Sequence, residues 1–377
     1  MTFIKENAPH IRRKADVKRM MLDVLIALAP TLIFSFVVYP IKTLIDLVLA
    51  MFVMNLAEFV YVGLRNMMPK DDQKHSFKER FFYAYKGKYN LVNFLTASIS
   101  AVIFTLIMPA GAPIYAIIIG SLVGIVLGKL VFDGLGNNIF NPAAVGMVFA
   151  KLCFGSQYVK YVDTWYYAIP DVNAGASALS GLMDSSIDNY VYNMNYYSFG
   201  DLFFGRIPGT LGEVYKITII VGLIYLLVRR SIDYRIVVSY LGTFVLMMLM
   251  AGIAIHVRDA SISIWKFALY QFLSGGLLFG ATFMLTDPVT SPINPPSRYL
   301  YGIIAAIFTV FIRLFAALPE GVGFSILIAN MIAPVLDHYE WSSSKYTWKK
   351  LLLMGLLVGL SVLVTFIVTR YGGVFNV

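Results

Sequence analysis

Three acidic residues lie within or at the ends of long apolar runs. A carboxylate at the centre of a membrane helix costs about 2.5–3.5 kcal/mol on insertion scales, so such residues are held by partners or serve an ion or proton path. Glu58 interrupts Asn55-Leu-Ala-Glu-Phe, Asp287 closes Met284-Leu-Thr-Asp-Pro-Val, and Asp337 closes Ala333-Pro-Val-Leu-Asp-His. Glu58 falls mid-run, where an ion path or a buried partner is the favoured reading. Asp287 and Asp337 fall at run ends, where a solvated carboxylate is cheap. Asp23 and Asp46 are discounted on the same ground. A second kind of chemistry is offered by Asp133-Gly-Leu-Gly-Asn-Asn-Ile-Phe-Asn-Pro, which carries Asn138 and Asn141. Glycine tolerates positive φ, and asparagine amides satisfy freed backbone groups or bind a polar ligand. A broken-helix pocket and an ordinary tight turn both fit that pattern. A phosphate loop fits poorly, because no strand precedes it and no Lys-Ser/Thr ending follows. The stretch from Asp287 to Pro296, with Thr290 and Ser291, reads as a rigid proline-rich loop. A lone cysteine, Cys153, forms no internal disulfide, and four scattered histidines give no metal-ligand spacing, so no metal site is expected.

A third candidate is Asp171-Val-Asn-Ala-Gly-Ala-Ser177. Alone it is a small-residue turn. It resembles the signal Asp-x-x-Ser/Thr-Gly-Ala-Ser/Thr, at which flavin transferases join FMN through its phosphate to a hydroxyl. Asp171, Gly175, Ala176 and Ser177 match, whereas Ala174 stands where Ser or Thr is usual. Small neighbours leave room for the transferase and for the isoalloxazine ring.

The elements that must position these residues are membrane helices. Of 377 residues, 59% are hydrophobic and 14% charged, with a mean hydropathy of +0.74. A soluble domain carries about 25% charged residues. Disordered and soluble globular classes are thereby set aside, and an all-α integral membrane protein is expected. A span needs about 20 mostly apolar residues. Eleven segments qualify, near 20–38, 43–64, 91–108, 113–132, 141–156, 214–228, 236–255, 265–285, 299–317, 322–337 and 350–369. The fifth, sixth and tenth are short, and these are where a broken or half-inserted helix is expected. The basic N-terminus runs straight into an apolar segment of full length, with no cleavable signal peptide expected. Four basic clusters set the orientation: Lys5 to Arg19, Arg65 to Lys88, Arg229 to Arg235, and Lys345 to Lys350. If each segment spans once, all four fall on one side, the cytoplasm by the positive-inside rule. Residues 157–213, with Asp163, Asp171, Asp184, Asp188 and Asp201, then face outward. The net charge of +9 is accounted for by topology, without nucleic acid. The expected organisation is a cytoplasmic arm (1–19), a first membrane repeat (20–156), an extracytoplasmic loop (157–213), a second repeat (214–337), and a linker with a further apolar segment (338–377).

Two helix openings share Pro-x-x-Val-Gly-apolar: Pro142-Ala-Ala-Val-Gly-Met and Pro319-Glu-Gly-Val-Gly-Phe. Five segments separate the two, so equivalents would lie inverted in the bilayer, an arrangement that places substrate and ion sites near the midplane. Chance recurrence of Pro and Gly beside membrane helices explains the pair equally well.

The chain resembles the D subunit of Rnf-type ion-translocating ferredoxin:NAD oxidoreductases, a family shared with the B subunit of sodium-translocating NADH:quinone reductase. The resemblance covers roughly residues 8–338. It rests on Pro9-His-Ile-Arg-Arg-Lys, Gly134-Leu-Gly-Asn-Asn-Ile-Phe-Asn-Pro-Ala, the flavin-attachment turn, Ile207-Pro-Gly-Thr-Leu-Gly-Glu213, Thr286-Asp-Pro-Val-Thr-Ser-Pro, Pro319-Glu-Gly-Val and Asn330-Met-Ile-Ala-Pro-Val-Leu-Asp337. It implies two inverted five-helix halves, about 10–11 spans in all, in an electron-carrying and ion-coupling subunit of a cell-membrane complex. FMN would be covalently bound at Ser177, after a flavin transferase has acted. A non-covalent riboflavin would lie near Asn138 and Asn141. Glu58, Asp287 and Asp337 match acidic positions considered for the cation path, and Glu213 is held to be a loop acid. Other subunits and membrane lipid are the expected partners. Residues 350–369 have no counterpart in the resemblance. Hydride transfer to NAD is not expected in this chain, since no dinucleotide-binding fingerprint follows a strand. The B subunit of the sodium-translocating reductase, a non-redox secondary transporter and a structural subunit lacking flavin are the competing readings.

Overall fold

A computed structural model of the chain describes residues 17–67, 76–83, 85, 89–134, 136–155, 197–260, 262–316, 320–338, 341 and 343–371. Every one of the eleven apolar segments is helical. Helix α1 spans Val17–Val38 and α2 Pro40–Arg65, divided at Tyr39 because Pro40 lacks the amide hydrogen that would continue the ladder. A short helix, α3, spans Phe77–Tyr83. Then come α4 (Leu91–Ile107), opened by a reciprocal Asn90–Asn93 capping box, and α5 (Ile114–Gly128). Helix α6 (Pro142–Cys153) begins at Asn141, whose side chain accepts from the amides of Ala143 and Ala144 at 3.0 and 3.3 Å. After the short α7 (Phe199–Phe204) follow α8 (Lys216–Arg229), α9 (Tyr234–Arg258), α10 (Ile264–Leu273), α11 (Leu277–Met284), α12 (Pro295–Phe315), α13 (Val322–Leu336) and α14 (Trp348–Tyr371).

Six of these helices are long and apolar enough to cross a bilayer, or seven with the α10–α11 pair, bent by 59°, counted as one span. The break therefore lies in the eighth apolar segment, not in the fifth, sixth or tenth, which are short but continuous. Its cause is Ser274-Gly275-Gly276. Gly275 takes a φ of +66°, a conformation L side chains rarely adopt, so the helix cannot propagate through it. The last turns of α11 widen into a π-helix, Gly280–Met284.

Helices α2, α4 and α5 pack together, α6 lies on α5 and α4, and α1 lies on α4 and α8. In the second half α9 packs on α12, α10 and α14, and α12 on α13. The two sets meet where α1 touches α8 and α6 touches α13. Small residues permit the closest approach: a Cβ on Gly124 of α5 would stand 2.6 Å from the Pro142 carbonyl oxygen of α6. Outward faces carry Val37, Ile41, Val48, Phe52, Val228 and Leu360, all exposed, as lipid-facing helices require. Helix α14 rests on α9 by a stripe of small polar residues, Ser361, Thr365 and Thr369, and Arg258 donates to the Thr369 carbonyl at 3.3 Å.

Asp23 and Asp46 are not solvated helix-end acids. Asp23 is buried and receives Ser231 Oγ at 2.7 Å, Arg229 Nε at 3.1 Å and the Tyr225 hydroxyl at 3.2 Å, tying α1 to α8. Asp46 is fully buried beside Lys42 (2.8 Å), which also donates to the Ala112 carbonyl at 2.6 Å. Neighbouring helices cover both positions, which counting residues along one segment does not reveal.

Candidate functional site

Where α1, α4, α5, α6, α8 and α11 converge, a narrow cleft opens between the two helix sets. One wall is apolar, with Met21, Val24, Ile99, Ile103 and Phe283; the rest carries Lys129, Asn138, Asn141, Thr286 and Asp287. Asn138 and Asn141 of the Gly/Asn-rich stretch thus stand on the wall of the cleft. Lys129 caps α5, after which a 3-10 turn, Leu130–Phe132, leads to Asp133 at φ +80°. The left-handed turn carries the chain back across the bundle end to Asn138.

Asn141 fixes this wall. Besides capping α6, its Nδ2 reaches the Met284 carbonyl of α11 at 3.4 Å. In the amide orientation that satisfies both ends, Asn330 of α13 accepts from the Asn141 backbone amide at 3.0 Å and donates to the Tyr301 hydroxyl at 2.6 Å. Three elements from both helix sets are thereby pinned to one residue. Asn138 is different. Its Nδ2 donates to the Phe140 carbonyl at 3.3 Å, but among the described residues its buried Oδ1 has no partner. A buried acceptor left unmet is costly unless something else supplies a donor. An acceptor of that kind on a cavity wall fits a ligand bearing N–H or O–H groups.

Glu58 is buried, and its carboxylate is clasped by the Lys129 ammonium at 2.6 and 2.8 Å, with Asn93 Nδ2 at 3.2 Å. Lys129 spends its third hydrogen bond on Thr96 Oγ1 at 2.8 Å. A buried ion pair is stable only with such complete satisfaction, because desolvation of both charges offsets most of their attraction. Asp287 lies at the cleft with its carboxylate turned onto the Val289 amide at 3.1 Å, and burial raises its carboxyl above the ordinary value. Asp337, at the end of α13, accepts from the Ile293 amide at 2.9 Å and braces the proline-rich loop. Glu58 and Asp287 thus share the cavity neighbourhood through Lys129, whereas Asp337 acts beside it as a loop brace.

A second charged cluster occupies the opposite end of the bundle, at the α10–α11 break. Glu213 is in a loop, as expected, but buried there rather than solvated. A Cβ on Gly276 would collide with both the Glu213 and Glu320 carboxylates, and the Gly276 amide donates to Glu320. Lys216 donates to the carbonyls of Glu213 and Gly275, each at 2.6 Å, and Lys151 approaches the Glu320 carbonyl at 3.5 Å. Burial, then the neighbouring Glu320 carboxylate, pushes the Glu213 carboxyl well up.

The flavin-attachment residues Asp171, Gly175, Ala176 and Ser177 lie outside the described residues. The parts played by Lys129 and Asn330 are not legible in the sequence alone. A lysine at the end of an apolar run looks like an ordinary boundary, and an asparagine within a run gives no sign of which helix it faces.

The sequence matches the NQR2, RnfD, RnfE family model over residues 4–346. The chain belongs to the NQR2, RnfD, RnfE family. It is 35% identical over 243 residues to the B subunit of the Na(+)-translocating NADH-quinone reductase of Chromohalobacter salexigens, covering 64% of this chain and 57% of that protein. It is 26% identical over 371 residues to the D subunit of the ion-translocating oxidoreductase complex of Haemophilus influenzae, covering 89% of this chain and 96% of that protein. The chain spans 57% to 64% of the length of two B subunits that it matches, from Chromohalobacter salexigens and Ectopseudomonas mendocina. The family match ends just before α14.

Proposed function

We propose that this family member is the flavin-carrying membrane subunit of an ion-translocating oxidoreductase, coupling electron transfer between ferredoxin and NAD to movement of Na+ or H+. The observation that carries the reading is the cleft between the helix sets, with an apolar wall, a lysine, and the unpartnered Asn138 acceptor. Phe283 and Ile103 would offer a flavin ring an apolar face, and Asn138 Oδ1 and the Asp287 carboxylate would accept from its N–H or O–H groups. Bound there, a flavin supplies one-electron transfer. The chain's own residues hold the slot open, and Asn141 keeps both helix sets aligned around it. Glu58, Asp287 and Asp337 are assigned to the cation path, and a second flavin, FMN, to Ser177 by a phosphoester that a flavin transferase forms.

The parallel packing of α2 on α4 and α5 and of α9 on α10 and α12 supports the inverted five-helix repeat. The basic loops face the cytoplasm in this reading, and the segment with Ser177 faces outward in a cell membrane. The D-type assignment is supported by a match that spans nearly all of the Haemophilus influenzae relative. Intramembrane acids favour the second reading, a non-redox transporter. The test is to co-express the chain with a flavin transferase and inspect the denatured band under ultraviolet light. Fluorescence that vanishes in Ser177→Ala supports the covalent flavin, and a dark wild-type band contradicts it.

A further inference from the structure

Helix α14 lies beyond the residues matched to the family, and nothing in the cleft or the charged clusters depends on it. Its two faces differ. One rests on α9 through the stripe of Ser361, Thr365 and Thr369. The other carries a groove lined by Trp348, Leu352, Gly355, Leu356, Gly359 and Leu360, spaced three and four residues apart along one face of the helix. The two glycines make it concave: a Cβ at Gly355 or Gly359 would meet nothing within 4 Å. Glycine weakens a helix interior relative to alanine, and among the described residues no neighbour packs close enough to require it here. The groove is thus shaped for something other than this chain.

One end of the groove is basic. Lys345 and Lys349 flank Trp348 in sequence, and all three are exposed, Trp348 at 77%. Lys350 is buried and donates to the Ser343 carbonyl at 2.8 Å. Among the described residues, the ammonium groups of Lys345 and Lys349 have no ion-pair partner, and from Trp341 to Val377 the sequence contains neither Asp nor Glu.

We propose that this face of α14 holds an anionic glycerophospholipid, with its phosphate at Lys345 and Lys349 and one acyl chain in the groove over Gly355 and Gly359. Tryptophan at the end of a membrane helix marks the headgroup level. From Trp348, Gly355 and Gly359 lie about 10 and about 16 Å along the helix axis. That is the depth of one leaflet, half of a hydrocarbon core about 30 Å thick. Past Gly359 the same face continues with Leu360, Leu363 and Ile367 and has no further glycine, so the concavity is confined to the half of α14 nearer the lysines. Charge decides the occupant. A neutral helix packed on the glycines would gain nothing from the two ammonium groups, whereas a phosphodiester meets both. The site is independent of the flavin reading.

The test is native mass spectrometry of the intact complex in detergent, titrated separately with dioleoyl phosphatidylglycerol and dioleoyl phosphatidylcholine. Differences between variant and wild type isolate this site from other lipid-binding surfaces of the complex. Wild type should bind the anionic lipid more tightly. The Lys345→Gln, Lys349→Gln double variant should bind it about 30-fold less tightly, with its affinity for phosphatidylcholine unchanged. The Gly355→Leu, Gly359→Leu double variant, which fills the groove, should lose one bound lipid of either kind without a fall in the melting temperature of the lipid-free complex. Should that variant fail to assemble, the lysine variant, altered only at exposed side chains, carries the test. Equal binding of the two lipids by wild type, or a glycine variant that retains the lipid, overturns the inference. Loss of another subunit, or of a second copy of this chain, from the glycine variant also overturns it, because the face would then be a helix–helix contact.

Discussion

The two ends of the seam between the helix sets solve the problem of buried charge differently. At the cavity end, the Lys129 ammonium is spent on the Glu58 carboxylate itself, one cation against one anion. At the opposite end, Lys216 is spent on two backbone carbonyls, those of Glu213 and Gly275, and the Glu213 and Glu320 carboxylates converge on Gly276. Helix breakage accounts for the contrast. The α10–α11 bend frees carbonyls that need a donor, and Lys216 supplies it, leaving two acids to share their surroundings. The continuous helices α2, α4 and α5 free no such groups at Glu58, so Lys129 is available for the carboxylate. A lysine near an acid is thus no guarantee of an ion pair; the backbone competes for it.

The largest expected effect breaks the cavity-end pair. Glu58→Ala leaves an ammonium buried and unpaired, and the loss should be about 3–5 kcal/mol, read as a fall in the melting temperature and yield of the purified complex. A Lys129→Met, Glu58→Leu double variant should recover most of that loss, and a double variant as unstable as Glu58→Ala would show that the pair is not a unit. Next is the bridge around Asn141. Asn330→Ala orphans the Asn141 amide and the Tyr301 hydroxyl, at about 1–3 kcal/mol, and should also weaken retention of free flavin through gel filtration. Stability lost without any loss of flavin would detach Asn141 from the site.

The smallest effect sharpens the opposite end. The folded-state carboxyl of Glu213 is raised, so between its ordinary value and the folded one the native state holds a proton that the unfolded chain has released. Stability is therefore fully present below the ordinary carboxylate range and declines as pH rises toward the folded value. Glu213→Gln should flatten that decline in a melting-temperature series across pH, and an unchanged slope would place the titrating group elsewhere.

Much of this architecture is legible in the residues. Hydropathy locates all eleven helical segments, because a span must be apolar over its whole length. Glu58 announces itself because it stands well inside its run, whereas Lys42, Asp46 and Arg65 lie near the ends of the same helix. The break in the eighth segment is written as Ser274-Gly275-Gly276, yet segment length points to the shorter helices instead, since a short helix can be continuous and a long run broken. Burial of Asp23 and Asp46 depends on α8 and on the loop at Ala112, partners far away in sequence that no single segment encodes. Asn138 and Asn141 stand out as a pair, but only the fold separates their tasks, since one amide is fully used and the other keeps an open acceptor.

The central claim is that the cleft beside Lys129, Asn138 and Asp287 is a flavin site. It is tested most directly by an experimental density map of the assembled complex. A tricyclic density is expected against Phe283, within hydrogen-bonding distance of Asn138 Oδ1. A cleft filled by lipid chains or by water alone, in a preparation that retains its non-covalent flavin elsewhere, would contradict it.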